Sequence, residues 1–112
     1  MNRAPGRCDL HIHSYYSDGT SAPADLVEKA SAIGLAAVSV TDHDTLEGQQ
    51  EALRAGITHG IEVIEGIEFS VHVEDLDTHI LGYLIDPGSK GLAERVSELG
   101  EARIERAREI VR

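Results

Sequence analysis

The sequence predicts an α/β domain of about four strands and three helices, and three observations carry that prediction. Short apolar β-like runs alternate with longer amphipathic segments, which is the pattern of βα units. Eleven glycines punctuate the chain and point to several tight turns rather than disorder. A length of 112 residues, 41% hydrophobic and 27% charged, holds one domain with a core large enough to fold.

Strands are expected near Arg7 to Ile12, Ala36 to Thr41, Val63 to Val71 and Thr78 to Ile85. The first helix should run from about Pro23, where a missing N–H costs little, to Ile33, with Gly34 just past its end. Its buried stripe is Leu26, Val27, Ala30 and Ile33. A second helix should start after Asp44, because Asp44-Thr45-Leu46-Glu47 fits a capping box, and reach about Ala55 before Gly56. Glu74-Asp75-Leu76-Asp77 reads as a polar linker joining two neighbouring strands, and Asp86-Pro87-Gly88 as a turn. From Ser89 onward Leu92, Val96, Leu99, Ala107, Ile110 and Val111 recur at helical spacing. That apolar face is still running at Arg112, so the chain is expected to be the N-terminal part of a longer protein.

A formal charge of −10 argues against an extensive nucleic-acid surface, which needs basic residues to release counterions from phosphates. Bound divalent cations would offset much of that charge and could still present a positive pocket to phosphate. The lone Cys8 cannot form an internal disulfide, and with no apolar h-region the expected address is cytoplasmic. No apolar run approaches the roughly 20 residues that span a bilayer, so no membrane association is expected.

The chemistry concentrates at strand ends. Asp9-Leu10-His11-Ile12-His13-Ser14, followed by Ser17-Asp18-Gly19, places two imidazoles and a carboxylate around the first of them. Side chains on a strand alternate faces, so His11 and His13 project together while Leu10 and Ile12 pack the other way. Three further clusters are Thr41-Asp42-His43-Asp44, Gly66-Ile67-Glu68-Phe69-Ser70 and His79-Ile80-Leu81-Gly82-Tyr83. In parallel α/β architectures the carboxyl ends of strands and the loops after them build the site. His79 opens its strand instead, as suits an antiparallel return to the same rim. Imidazole and carboxylate donors without cysteine suit Zn, Mn or Fe, and the usual task of such ions is to activate water and polarise a phosphoryl or carbonyl oxygen.

Each of these residues also has a plainer role. Asp42 reads equally as a turn residue or as a carboxylate orienting His43, and Asp44 reads as a helix cap rather than a ligand. Glu65 and Glu68 lie three apart on opposite strand faces, so only one can face the site. His59 reads as solvated surface, His72 as peripheral and Cys8 as a small packed hydrophobe. Tyr15 and Tyr16 could contact substrate or cover the core edge. Arg103 and Arg106 could bind phosphate, though a solvated helix face with intermittent ion pairs is the preferred reading. There is no phosphate-cradling G-x-x-x-x-G-K loop and no nucleophile-elbow serine.

In these four clusters the chain resembles the polymerase and histidinol phosphatase (PHP) superfamily, over nearly its whole length from Asp9 to the last helix. The resemblance implies the N-terminal half of a distorted seven-stranded (β/α) barrel with a centre of up to three divalent metals. It implies that His11, His13 and Glu68 hold one ion and carry catalysis through it, that Glu68 bridges to a second ion held also by His79, and that Asp18 with His43 holds the third. A further histidine and a closing Asp-x-His of the family are not in this sequence.

Within the superfamily, the Thr41-Asp42-His43-Asp44-Thr45 run, the His79-Ile80-Leu81-Gly82 run and the Arg103-x-x-Arg106-Ala107 helix look most like the stand-alone bacterial branch. That branch includes nucleoside 3′,5′-bisphosphate phosphatases that also act as 5′-to-3′ exoribonucleases. The expected function of the full-length protein is therefore a metal-dependent phosphoesterase using a metal-activated water on nucleotide or short oligonucleotide phosphates, with these 112 residues alone expected to be nearly inactive. The alternatives are a histidinol-phosphatase-like or polymerase-associated domain, or a non-catalytic metal-binding fragment. A truncated barrel should expose strand edges and self-associate.

Overall fold

In the computed structural model, which describes residues 6–86 and 88–111 apart from the side chains of 103, 107 and 111, the elements alternate as expected. Pro87 of the expected turn, and the roles read for Arg103, Ala107 and Val111, fall outside the described residues. Strand β1 (Cys8–Ile12) is followed by α1 (Pro23–Ala32), β2 (Ala37–Val40), α2 (Gln49–His59) and β3 (Glu62–Val63). These three strands form one parallel sheet in the order β1-β2-β3. Strands β4 (Gly66–Val73) and β5 (Leu76–Tyr83) form a separate antiparallel hairpin, and α3 (Lys90–Val111) closes the order.

Alternation along β2 explains how the layers stack. Val38 and Val40 face the helices and meet Val27 and Ala30 of α1 and Ala52 and Ala55 of α2, with Ile61 completing the buried cluster. Ser39 and Thr41 point to the other face, where a Cβ on Gly66 would collide with Ser39 Oγ and come within 2.9 Å of Thr41 Cγ2. The hairpin therefore lies against the sheet face opposite the helices. All four β2 residues are consequently buried, as in a strand covered on both faces.

The same crossing corrects the expected strand from Val63 to Val71. Ile64 still donates its N–H to Val38 O at 2.9 Å, and then the chain leaves the first sheet at Glu65 and enters the second at Gly66. Five strands result where four are expected, because the missing Cβ of Gly66 lets one apolar run serve two sheets. Gln49, 1% exposed, staples this junction by donating to Val40 O at 2.7 Å and accepting from Gly66 N at 3.1 Å.

The second helix also differs from expectation. Asp44 does not cap it: its backbone is left-handed (φ 52°) and its Oδ1 accepts from Ser70 N at 2.9 Å. The helix starts at Gln49 after Gly48 and runs through Gly56 to His59, ending at Gly60 with φ 67°. Gly56 is a packing residue rather than a stop, since a Cβ there would lie 2.6 Å from Val63 Cγ2. On α1, Ile33 is exposed rather than part of the buried stripe, because it is the C-cap where the chain turns into Gly34 (φ 86°). Cys8 is exposed rather than packed, as the outermost strand covers one side only.

The hairpin turns on Glu74 and Asp75 alone, with Val73 opposite Leu76. His79 is thus the fourth residue of β5 rather than its opening one, and it pairs with Ser70. Tyr83 ties the hairpin to β1 by donating its hydroxyl to Leu10 O at 2.6 Å. Helix α3 buries Val96, with Leu92 and Leu99 partly covered, while Ile104 and Ile110 stay exposed. No helix among the described residues is long and apolar enough to cross a membrane.

Candidate metal centre

Six side chains from five places in the sequence converge where the parallel sheet meets the hairpin. His11 comes from β1, His13 and Asp18 from the loop after it, His43 from the loop after β2, Glu68 from β4 and His79 from β5. A parallel bridge pairs His43 with Glu68: Glu68 N donates to Asp42 O at 3.1 Å and Asp44 N donates to Glu68 O at 3.0 Å. This backbone link carries Glu68 across from the hairpin to the histidines of the first sheet. The cross-strand neighbourhood of Glu68 and Ser70 then places His79 beside it.

Glu68, 3% exposed, divides its two oxygens. His11 Nε2 lies 2.8 Å and His13 Nε2 2.7 Å from Oε1, whereas His79 Nδ1 lies 2.9 Å from Oε2. Asp18 does the same on the other side, with Oδ1 2.6 Å from His13 Nδ1 and Oδ2 3.3 Å from His43 Nε2. The rings follow one another edge-on or tilted, His11 to His13 at 5.3 Å, His13 to His43 at 4.5 Å and His43 to His79 at 4.9 Å between centroids.

Burial pushes the Glu68 carboxyl up, but hydrogen bonds from His11 and His13 and the His43 charge outweigh it and hold the group below the usual carboxylate range. Asp18 behaves alike: burial raises it, and His13 and His43 bring it below the ordinary value. Both carboxylates are thereby held in the anionic form that a cation needs. Three donor groups result, His11–His13–Glu68, His13–Asp18–His43 and His43–Glu68–His79, with the ligand atoms of each within 4.8 Å of one another. Nitrogen and carboxylate donors without thiolate suit Zn, Mn or Fe, so this set is chemically fit for such ions.

The structure sorts the remaining candidates. Glu65 sits in the crossing between sheets and joins none of the donor groups found among the described residues. His59 is exposed at the end of α2. His72 lies on the hairpin, 2.9 Å from Asp77, lining a cavity of about 540 Å³ that opens from Asp18, His43 and His79 toward α3. Arg106 lines the same cavity on an exposed helix face, where its two terminal nitrogens donate to the two Asp77 oxygens at 2.8 and 3.0 Å. Tyr15 and Tyr16 form an exposed edge-on pair with centroids 5.0 Å apart.

Asp42 turns its carboxylate to the loop after β1. It is 1% exposed, and its carboxylate accepts from Ser14 N and Ser14 Oγ, both at 2.6 Å, and from Ser17 Oγ at 2.8 Å. Sequence reasoning missed these partners, although serines flanking a ligand loop carry the donors that a buried carboxylate requires.

Fold and site together define an α/β protein whose strands and the loops after them gather four histidines and two carboxylates into three clusters with the donor set of a metal site. The chain belongs to the PHP domain family, which it matches over residues 9–109. It is similar to a 3′,5′-nucleoside bisphosphate phosphatase of Chromobacterium violaceum, with 39% identity over 91% of this chain and 36% of the relative. It is also similar to a 5′-3′ exoribonuclease of Haemophilus influenzae, with 44% identity over 70% of this chain and 28% of the relative. Among solved structures, an amidohydrolase from C. violaceum with bound sulfate superposes with a TM-score of 0.86 at 39% identity, covering 92% of this chain and 36% of that one. The chain thus spans about a third of the length of the curated relatives it matches.

Proposed function

We propose that this chain, residues 1–112, forms the first portion of a PHP barrel and carries the histidine-rich part of a metal-dependent phosphoesterase centre for nucleotide or short oligonucleotide phosphates. The observation that carries the reading is the division of Glu68 between two donor groups, one oxygen toward His11 and His13 and the other toward His79. In this reading His11, His13 and Glu68 hold one ion, Glu68 and His79 a second, and Asp18 and His43 a third. When bound, such ions activate water and neutralise charge developing on a phosphoryl oxygen.

The chain's own residues supply position and charge. His13 stands between two carboxylates, with Nε2 2.7 Å from Glu68 and Nδ1 2.6 Å from Asp18, and so links the two donor groups that share it. The cavity beside His43 and His79 gives a phosphorylated ligand room of about 540 Å³. The nucleotide assignment draws on the two relatives named for nucleoside bisphosphates and RNA. A cytoplasmic address and self-association through the exposed Val73, Leu76 and Leu84 complete the proposal.

The test is hydrolysis of adenosine 3′,5′-bisphosphate and of a short 5′-phosphorylated RNA by the purified protein with Mn²⁺ or Zn²⁺ added. Phosphate release that disappears with chelator supports the reading, and metal-independent release contradicts it. A second reading, metal binding without turnover, is favoured by the sharing of six side chains among three donor groups, which leaves each group a single donor of its own, His11, Asp18 or His79. Stoichiometric Mn²⁺ uptake with no phosphate release from either compound would select it.

A further inference from the structure

We infer that Asp42 is a positioning residue that sets the spacing of His13, Asp18 and His43 without itself binding metal, an inference that rests on the metal reading above. The carboxylate is buried inside the protein and accepts three hydrogen bonds, all from the loop between β1 and α1. The donors bracket the ligands: Ser14 directly follows His13, and Ser17 directly precedes Asp18. Fixing both serines on one carboxylate fixes the chain on the inner side of each candidate ligand.

The loop they close is tight. Ser17 N and Gly19 N both donate to Ser14 O, at 3.1 and 2.9 Å, and a Cβ on Gly19 would collide with His13 O. Tyr16 N donates to the Ser14 hydroxyl at 3.2 Å, so that hydroxyl is held from both sides. Asp42 meanwhile precedes His43, and its own carbonyl accepts from Glu68 N. A single residue therefore links the loop carrying His13 and Asp18, the loop carrying His43 and the strand carrying Glu68. Groups that orient ligands in this way change metal affinity by about 10–100-fold when removed.

The arrangement also shows which substitutions can stand in for the carboxylate. Its Oδ1 takes the Ser14 amide and the Ser17 hydroxyl, and its Oδ2 takes the Ser14 hydroxyl. Asparagine keeps an oxygen for the first pair and can present its amide to the Ser14 hydroxyl, which is able to accept. Alanine keeps nothing.

The experiment compares the wild-type protein with Asp42→Ala, Asp42→Asn and Ser17→Ala by Mn²⁺ titration, thermal melting and amide hydrogen exchange. For a folded Asp42→Ala, the expected result is faster exchange at Ser14, Ser17 and Gly19, unchanged protection in α1 and α2, and Mn²⁺ affinity weakened by about tenfold or more. Asp42→Asn should restore most of the affinity, and Ser17→Ala should move it in the same direction as Asp42→Ala but by less. Asp42→Ala that melts cooperatively, binds Mn²⁺ like the wild type and keeps its loop protection overturns the inference. If Asp42→Ala does not fold, Ser17→Ala decides: wild-type affinity and loop protection in that variant overturn it. A wild-type protein that takes up no Mn²⁺ overturns the metal reading and this inference with it, whereas failure confined to the variants overturns the positioning role alone.

Discussion

The parallel βα layer and the β4–β5 hairpin with α3 are built by different means. The first surrounds a closed apolar cluster of Val27, Ala30, Val38, Val40, Ala52, Ala55 and Ile61. The second leaves Val73, Leu76, Ile80 and Leu84 exposed and is joined to the first by named polar links: Gln49 to Gly66, Tyr83 to Leu10 and Glu68 to Asp42 and Asp44. The second region buries Ile67 and Val96 but exposes most of its other apolar side chains, and hydrogen bonds register it against the first. The six candidate ligands lie on that joint, four from the first region and Glu68 and His79 from the second. A site placed there takes its precision from the registry of two parts, so changes at the joint should act on metal binding more than changes within either part.

Glu68→Gln should have the largest effect. It weakens the two donor groups that share Glu68, so the metal content of the purified protein should fall while the His13–Asp18–His43 group persists. Full metal content in that variant would break the bridging assignment. Next come the residues that register the layers. Gly66→Ala presses a methyl into Ser39 and Thr41 and should cost about 1–3 kcal/mol in a denaturant melt. Gln49→Ala leaves Val40 O and Gly66 N without their partner and should cost about 1–3 kcal/mol for each group. If both variants melt like the wild type, the two regions do not depend on this joint.

Arg106→Ala should act only locally, speeding hydrogen exchange near the end of α3 with little change in the global melt. Its partner Asp77 is held well below the usual carboxylate range by the Arg106 guanidinium first and by His72 second. A carboxylate with a depressed folded pKa stabilises above its unfolded value of about 3.9 and loses that contribution as pH falls through the folded value. Protection of α3 in the wild type should therefore hold from neutral pH down past 4 and fail only in stronger acid. Loss of protection well above pH 4 would contradict Asp77 as the anchor of α3. Cys8→Ser, at an exposed position, should be the smallest change, within about 0.5 kcal/mol of the wild type.

The same contrast between regions explains what was legible in the sequence. Periodicity reported α1, β2 and the parity of His11 and His13, because those depend on neighbours within one element. The division of the Val63 to Val71 run between two sheets did not show, since it turns on a contact between Gly66 and residues about 25 positions earlier. The start of α2 is not legible for a related reason: Asp44 has the identity of a cap, but Ser70 N on the hairpin claims its carboxylate. The candidate ligands were legible as types and spacings, whereas the sharing of Glu68 and the Ser14–Asp42–Ser17 clamp emerged only when the chain segments met in space.

The most direct test is an anomalous difference map from crystals of the protein grown with Mn²⁺. The account predicts peaks at the joint, one within about 2.0–2.5 Å of ligand nitrogens of His11 and His13 and an oxygen of Glu68, and another beside the other Glu68 oxygen and His79. Ordered His11, His13, Glu68 and His79 side chains with Mn²⁺ absent from all of them, or bound only elsewhere on the surface, would contradict it.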